Sequence, residues 1–206
     1  MKVLNLYAGV GGNRKLWSDV EVTAVEFNPK IAEIYNHHFP EDRMILEDAH
    51  EFLRNYVDDG WDFIWSSPPC QSHSRMAISG RNKKPRYPDM QLYEEIILLQ
   101  TYSKKFGFSY CVENVQPYYE TLVEAQKIGR HLFWTDLDLS GVEDVPSPPG
   151  FIKDYCTVAG SKEIQKWLGI NCTKNIYYDN NHDPSQIWRN AVHPLIGKQI
   201  IERKTL

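Results

Sequence analysis

Three features are scarce in this sequence of 206 residues. Only four cysteines occur, Cys70, Cys111, Cys156 and Cys172, widely spaced and without a CxxC pair, which reads as a reduced, cytosolic protein. Positive charge is also short. A formal net charge of −4 excludes a protein that coats nucleic acid by general basicity, so any phosphate contact must come from a local patch. Long apolar runs are missing as well: no stretch approaches the length that spans a bilayer, and the opening "MKVLNLYAGV" lacks the n-region, apolar run and cleavage site of a signal peptide. There is no internal repeat and no low-complexity tract. What remains, 42% hydrophobic and 13% aromatic residues, suffices for one compact domain with a sizeable core, whereas two independent domains would be cramped.

The apolar pattern alternates between strand and helix. "KVLNLYA" (2–8) is a short β-capable run stopped by "GVGG" (9–12), with Asn13 placed as a helix N-cap. "VEVTAVEF" (20–27) predicts a second strand, and "NPKIAEIYNHHF" a helix with Asn28 as cap and Pro29 at its first position. "RMIL" (43–46) and "DAHEFLRNYVDD" form the next such unit, "WDFIW" (61–65) a fourth strand, and 75–88 a loop. "DMQLYEEIILLQTYSKKF" (89–106) reads as a long amphipathic helix, "FSYCVEN" (108–114) as a buried strand, "PYYETLVEAQKIG" as a helix opening at Pro117, and "HLFWTDLDL" (131–139) as a further strand. Such alternation predicts an α/β fold, a doubly wound, mostly parallel sheet of Rossmann-like type. Residues 1–137 and 186–206 would form the core, with 138–185, rich in proline, glycine and asparagine, as a short irregular insert and "NAVHPLIGKQIIER" (190–203) as the last helix.

In such a sheet ligands collect at the carboxyl ends of the strands, beside the first strand. Gly9, Gly11 and Gly12 sit there, but "GVGG" lacks the third glycine of the dinucleotide fingerprint. Glu26 ends the second strand where an acid can accept ribose hydroxyls, and Asp48 ends the third, placed either to meet an adenine amino group or to cap its own helix. In "WDFIWSSPPCQSHS" (61–74), Pro68 and Pro69 forbid helix before Cys70 and hold the thiol at the same sheet edge. Glu113 and Asn114 end the next strand. A nucleophile, a carboxyl group and an adenosine-type pocket in one place suggest group transfer through a covalent intermediate.

Here the residues match a family. "LNLYAGVGG", "VEFNP", "SSPPCQSHS", "VENV", "GRHLFW" and "QIWRNAVHPLIGKQI" resemble, in order, the motifs of the DNA cytosine-C5 methyltransferases, over nearly the whole chain except 138–185. The resemblance implies S-adenosylmethionine as cofactor, Cys70 as the thiolate that adds to cytosine C6, and Glu113 as the acid at N3. Asn114 would hold the carboxyl and the loop below it, and Arg130 would grip the ring. On the cofactor side it implies Tyr7, Gly9, Gly11, Gly12, Glu26, Phe27, Asp48, Ala49, Pro69, Asn190 and Ala191.

The chain departs from the family pattern in four places. Arg189 replaces a usual glycine, His193 stands where proline is frequent, and His131 follows Arg130 where the family usually carries a pair of arginines. The insert is also far shorter than a target-recognition region, so a target of about two to four bases, or a second protein supplying recognition, is expected. The basic stretch Arg75, Arg81, Lys83, Lys84 and Arg86, with Gln71 and Ser74, is assigned to nucleic acid, clamping a strand from which the cytosine has been flipped. The expectation is a cytoplasmic DNA (cytosine-5)-methyltransferase acting on duplex DNA, with no membrane contact and no metal. The alternatives are an RNA cytosine-C5 methyltransferase, a catalytically silent cofactor- or DNA-binding protein, and, more distantly, a nicotinamide oxidoreductase.

Overall fold

The computed structural model describes residues 1–79, 84, 86–151, 157–174, 176–177 and 183–205. Its centre is a seven-stranded sheet in the order β3-β2-β1-β4-β5-β7-β6. The strands are β1 (Lys2–Leu6), β2 (Glu21–Val25), β3 (Arg43–Ile45), β4 (Phe63–Ser66), β5 (Ser109–Val115), β6 (Gln126–Ile128) and β7 (His131–Thr135). β1 pairs in parallel with both β2 and β4, and β4 in parallel with β5. β7 runs antiparallel to β5 and β6 antiparallel to β7. The chain leaves β1 toward β2 and β3, then returns to the other side of β1 for β4. That reversal opens a crevice at the carboxyl ends of β1 and β4, where ligands of open α/β sheets bind.

Strand residues are apolar on both faces because both faces are covered. On one side Leu4, Leu6, Ile64 and Val112 pack with Phe52 and Leu53 of α2 (Ala49–Tyr56) and with Ile96 and Leu99 of α3 (Gln91–Phe106). On the other, Val3, Phe63, Trp65 and Cys111 pack with Tyr35 of α1 (Pro29–His38). Ile196 and Ile200 of the C-terminal helix (Pro194–Glu202) complete that layer. The helix starts follow the local chemistry. Asn28 accepts from Lys30 N–H at 3.0 Å ahead of Pro29, Asp48 accepts from Glu51 N–H at 3.0 Å, and α3 stops at Gly107 with φ of +79°.

Three expectations need correction. No helix follows the glycine turn at Asn13; that residue is buried and donates its amide to Asn5 Oδ1 at 2.8 Å, while the chain passes through turns to Trp17. The stretch opening at Pro117 is not a helix. It crosses the sheet end in bends and becomes β6, tied down where the Trp134 indole donates to the Val123 carbonyl at 3.0 Å and the Gln126 amide to the Leu137 carbonyl at 2.7 Å. Nor is the insert irregular throughout: α4 (Val158–Leu168) begins at Thr157, whose hydroxyl accepts from Gly160 N–H at 3.0 Å, and ends at Gly169 with φ of +64°. Ile164 and Leu168 on α4 join Ile31 and Ile34 of α1 and Ile187 and Trp188 of the short helix α5 (Gln186–Arg189) in a third apolar cluster. The last helix, α6, is Pro194–Glu202, with His193 accepting from Leu195 N–H at 3.2 Å.

Candidate active site

A cavity of about 910 Å³ opens at the carboxyl ends of β1 and β4, toward the upper end of sizes that enclose one drug-sized ligand. One wall begins where β1 ends. Tyr7 and Gly9 both have positive φ, +53° and +54°, so the chain turns sharply over the strand end. A Cβ added at Gly9 would meet nothing closer than the Tyr7 carbonyl oxygen at 3.8 Å, which leaves open cavity against the backbone. Gly12 differs: its Cβ would lie 2.4 Å from the Val192 carbonyl oxygen and 2.9 Å from Ala191 Cβ, so this glycine lets the turn and the 190–192 segment touch. Gly11 does not line the cavity, since a Cβ there would strike the Phe39 ring at 2.2 Å. Gly11 thus stands against the Phe39 ring rather than in the cavity lining, unlike Gly9 and Gly12.

Glu26 closes this wall. Its carboxylate accepts Gly9 N–H at 3.0 Å and Asn28 N–H at 2.8 Å, tying the first turn to the end of β2. Burial pushes the carboxyl upward from the usual range, and the backbone donors of Asn28, Gly9 and Phe27 pull it back. Beside it Phe27 is 76% exposed although it lines the cavity, an open aromatic face next to an acid. Asp48, Ala49 and Ile31 continue the lining. One Asp48 oxygen is committed to capping α2, so capping and cavity lining coexist.

The opposite wall carries the thiol. After β4 the chain runs Ser67-Pro68-Pro69-Cys70, and the Asn114 amide donates to the Pro68 carbonyl at 3.0 Å, fixing the proline turn to β5. The Cys70 carbonyl then accepts from His73 N–H at 3.0 Å and Ser74 N–H at 2.9 Å. Burial pushes the Cys70 thiol up, the Glu113 carboxylate pushes it further, and Arg130 opposes both. Arg130 is itself lowered by burial and supported by Glu113 and Cys70. Its guanidinium donates to the Arg189 carbonyl at 3.1 Å and lies 4.9 Å from the Phe151 ring centroid. Cys70, Glu113 and Arg130 therefore interact electrostatically within one cavity.

Of the residues expected at the site, Tyr7, Gly9, Gly12, Glu26, Phe27, Asp48, Ala49, Pro69, Cys70, Gln71, Ser74, Arg75, Arg86, Glu113, Asn114, Arg130, Asn190 and Ala191 all line this cavity. Lys84 is exposed and does not. Arg81 and Lys83 lie outside the described residues.

Three residues with a place in the site were not assigned roles from sequence. Phe151 comes from the insert and stacks on Arg130. His131 presents Nδ1 to Glu113 Oε1 within hydrogen-bond reach. Glu95, 1% exposed on α3, lies beneath the cavity and accepts from the Tyr7 hydroxyl at 2.6 Å and the Ser66 hydroxyl at 2.6 Å, with His50 Nδ1 at 3.0 Å. Burial and Glu95 raise the Tyr7 phenol, and the Glu95 hydrogen bond raises the His50 imidazole. No group of three or more metal-ligating side chains occurs among the described residues, and no helix among them is long and apolar enough to cross a membrane.

Comparison with known proteins adds a family. The model described as C-5 cytosine-specific DNA methylase matches residues 1–118. The chain is 35% identical over 81 residues to a tRNA (cytosine(38)-C(5))-methyltransferase of Spodoptera frugiperda, covering 36% of this chain and 24% of that protein. It is 28% identical over 92 residues to the mouse protein of the same name, covering 42% and 22%. The matched stretches thus span under a quarter of the curated relatives' own length. A crystal structure of Spodoptera frugiperda DNMT2, in an E260A/E261A/K263A mutant, superposes with a TM-score of 0.58 at 14% identity, covering 100% of this chain and 99% of that one. It shares the fold.

Proposed function

Because the chain belongs to the C-5 cytosine-specific DNA methylase family, we propose that it methylates cytosine at C5 in a nucleic acid, and that the nucleic acid is a structured RNA. The observation that carries the reaction is the convergence of Cys70, Glu113 and Arg130 in the same cavity as the glycine turn and Glu26. The cofactor of this family is S-adenosylmethionine. The residues fit it, because Gly9 leaves open space against the backbone and the Phe27 face and Glu26 carboxylate stand side by side at the rim. When bound there it supplies an electrophilic methyl group.

The chain's own residues account for the remainder. Glu26 and Phe27 hold and orient the adenosine end, the acid toward hydroxyls and the ring against a flat apolar face. The Cys70 thiol gives up its proton to solvent before attack, and the Arg130 charge favours the anion. As the sulfur bonds to C6, electron density moves onto the ring, and Glu113 delivers a proton to N3. C5 thereby becomes nucleophilic and would take the methyl group as the methyl–sulfonium bond breaks and a neutral thioether leaves; water then removes the C5 proton, the Cys70 C6–S bond breaks, and N3 returns its proton to Glu113. Asn114 keeps the proline turn in register with the carboxyl throughout. The target base must leave its stack for its C6 to reach the Cys70 sulfur in the cavity wall.

RNA is favoured over DNA by the curated relatives, which are named tRNA methyltransferases. DNA is the second reading, favoured by the family description. Radiolabelled methyl transfer to total tRNA and to cytosine-rich duplex DNA separates them. Labelling of tRNA with DNA unlabelled is the expected result, labelling of DNA alone moves the substrate to the second reading, and labelling of neither by a protein that binds the cofactor supports a silent binding protein.

A further inference from the structure

The interior of the site holds a pair of titratable groups of which the reaction above uses only one. Glu113 on β5 and His131 at the start of β7 are both largely buried, 5% and 7% exposed. Antiparallel pairing places His131 opposite Val115 and Glu113 opposite Phe133, so the two side chains lie diagonally across one face of the sheet. Imidazole Nδ1 meets carboxyl Oε1 as a buried ion pair or hydrogen bond, and the ring lies against Phe133 at an interplanar angle of 28° and 6.3 Å between centroids. Among the described residues, the other charged or titratable groups that interact with Glu113 are Cys70 from the proline turn, Cys111 on its own strand and Arg130 beside His131. Asp144 and Arg189 reach the group through Arg130.

An isolated carboxyl is a poor proton donor at neutral pH because it is already ionised. We propose that Glu113 and His131 hold one proton in common, and that His131 is the positioning residue that keeps this proton in the site at neutral pH. The inference rests on the cytosine-methylating reading. As sulfur bonds to C6 the shared proton leaves through Glu113 to N3, and the pair is left as carboxylate and neutral imidazole. When the C6–S bond breaks, N3 returns the proton and the pair is restored, so no other reactant is consumed. An arginine in the place of His131 would be a fixed charge with no proton to share.

Two measurements test this. Proton NMR of the ligand-free wild type should show a downfield Nδ1–H resonance, absent from His131→Asn and lost or moved upfield in Glu113→Gln. The asparagine variant keeps an N–H donor toward Glu113 but cannot carry a shared proton, so the carboxyl stays held while the source is removed. In single-turnover methyl transfer its alkaline limb should move to lower pH, leaving it about tenfold slower than wild type above neutrality and within about threefold below pH 6.5. A resonance that is absent from the wild type or unchanged by Glu113→Gln overturns the inference, and so does a His131→Asn rate lowered by the same factor at every pH. A wild type that transfers no methyl group to any cytosine substrate would defeat the proposed function, and the NMR signature would still decide whether the proton is shared.

Discussion

Replacing Gly12 with alanine tests how closely the glycine turn packs against the 190–192 segment. The added Cβ would sit 2.4 Å from the Val192 carbonyl oxygen and 2.9 Å from Ala191 Cβ, about 1 Å inside ordinary van der Waals contact. Both neighbours belong to the 190–192 segment that lines the cavity, so the turn and that segment must part. Overpacking of this kind costs about 1–3 kcal/mol. In a chain of this size each kcal/mol lowers the melting temperature by about 2–4 °C, so a middle value of ~2 kcal/mol gives a drop of about 4–8 °C. Gly9→Ala makes the control, since its Cβ meets only the Tyr7 carbonyl at 3.8 Å. Its φ of +54° costs a side chain about 1–2 kcal/mol, and the methyl intrudes on the open space. Thermal denaturation and calorimetric titration with S-adenosylmethionine should therefore show Gly12→Ala as the less stable variant, and both variants with weakened cofactor binding. A Gly12→Ala protein with wild-type melting temperature and wild-type affinity would refute the close approach of the glycine turn to the 190–192 segment.

Glu113→Gln should lower methyl transfer by about 10²–10⁴-fold, the usual cost of losing a positioned acid, while calorimetry finds cofactor affinity unchanged. Arg130→Ala leaves the thiol under burial and Glu113, which both push it up, so the acid limb of the rate profile and the pH dependence of Cys70 alkylation should move to higher pH. An unmoved limb would remove Arg130 from thiolate stabilisation. Neutralising Arg75, Lys84 and Arg86 together should flatten the salt dependence of nucleic-acid binding, by about 0.7–0.9 of log–log slope for each phosphate that the variant no longer neutralises. Cofactor binding should remain as in wild type.

Much of the site was legible because it depends on local chemistry. Glycines after the first strand, Asn28 and Pro29 at a helix start and the two prolines before Cys70 each dictate backbone over a few residues. The segment after Pro117 misled for the opposite reason. Pro117 reads as a helix start, yet Tyr119, Val123 and Ala125 pack against the core beside Trp134, and β6 gains a ladder with β7 that the local sequence does not announce. In the insert the signals for α4 are present, Thr157 as cap and Gly169 as stop around Ile164 and Leu168. They are obscured by the surrounding proline, glycine and asparagine. Glu95 gave no signal: beside Glu94 on an amphipathic helix it looks solvated, and only the fold reveals that it points inward to Tyr7, Ser66 and His50.

The central claim, that Cys70 attacks cytosine C6 beside a bound methyl donor, is tested most directly by mass spectrometry with 5-fluorocytosine in RNA and in duplex DNA. Fluorine at C5 cannot leave as a proton, so the reaction stops at the covalent stage. The expected result is a cofactor-dependent adduct mapped to the peptide containing Cys70, formed with the RNA and abolished by Cys70→Ser. An adduct on Cys111, Cys156 or Cys172, one that persists in Cys70→Ser, or none with either nucleic acid would contradict it.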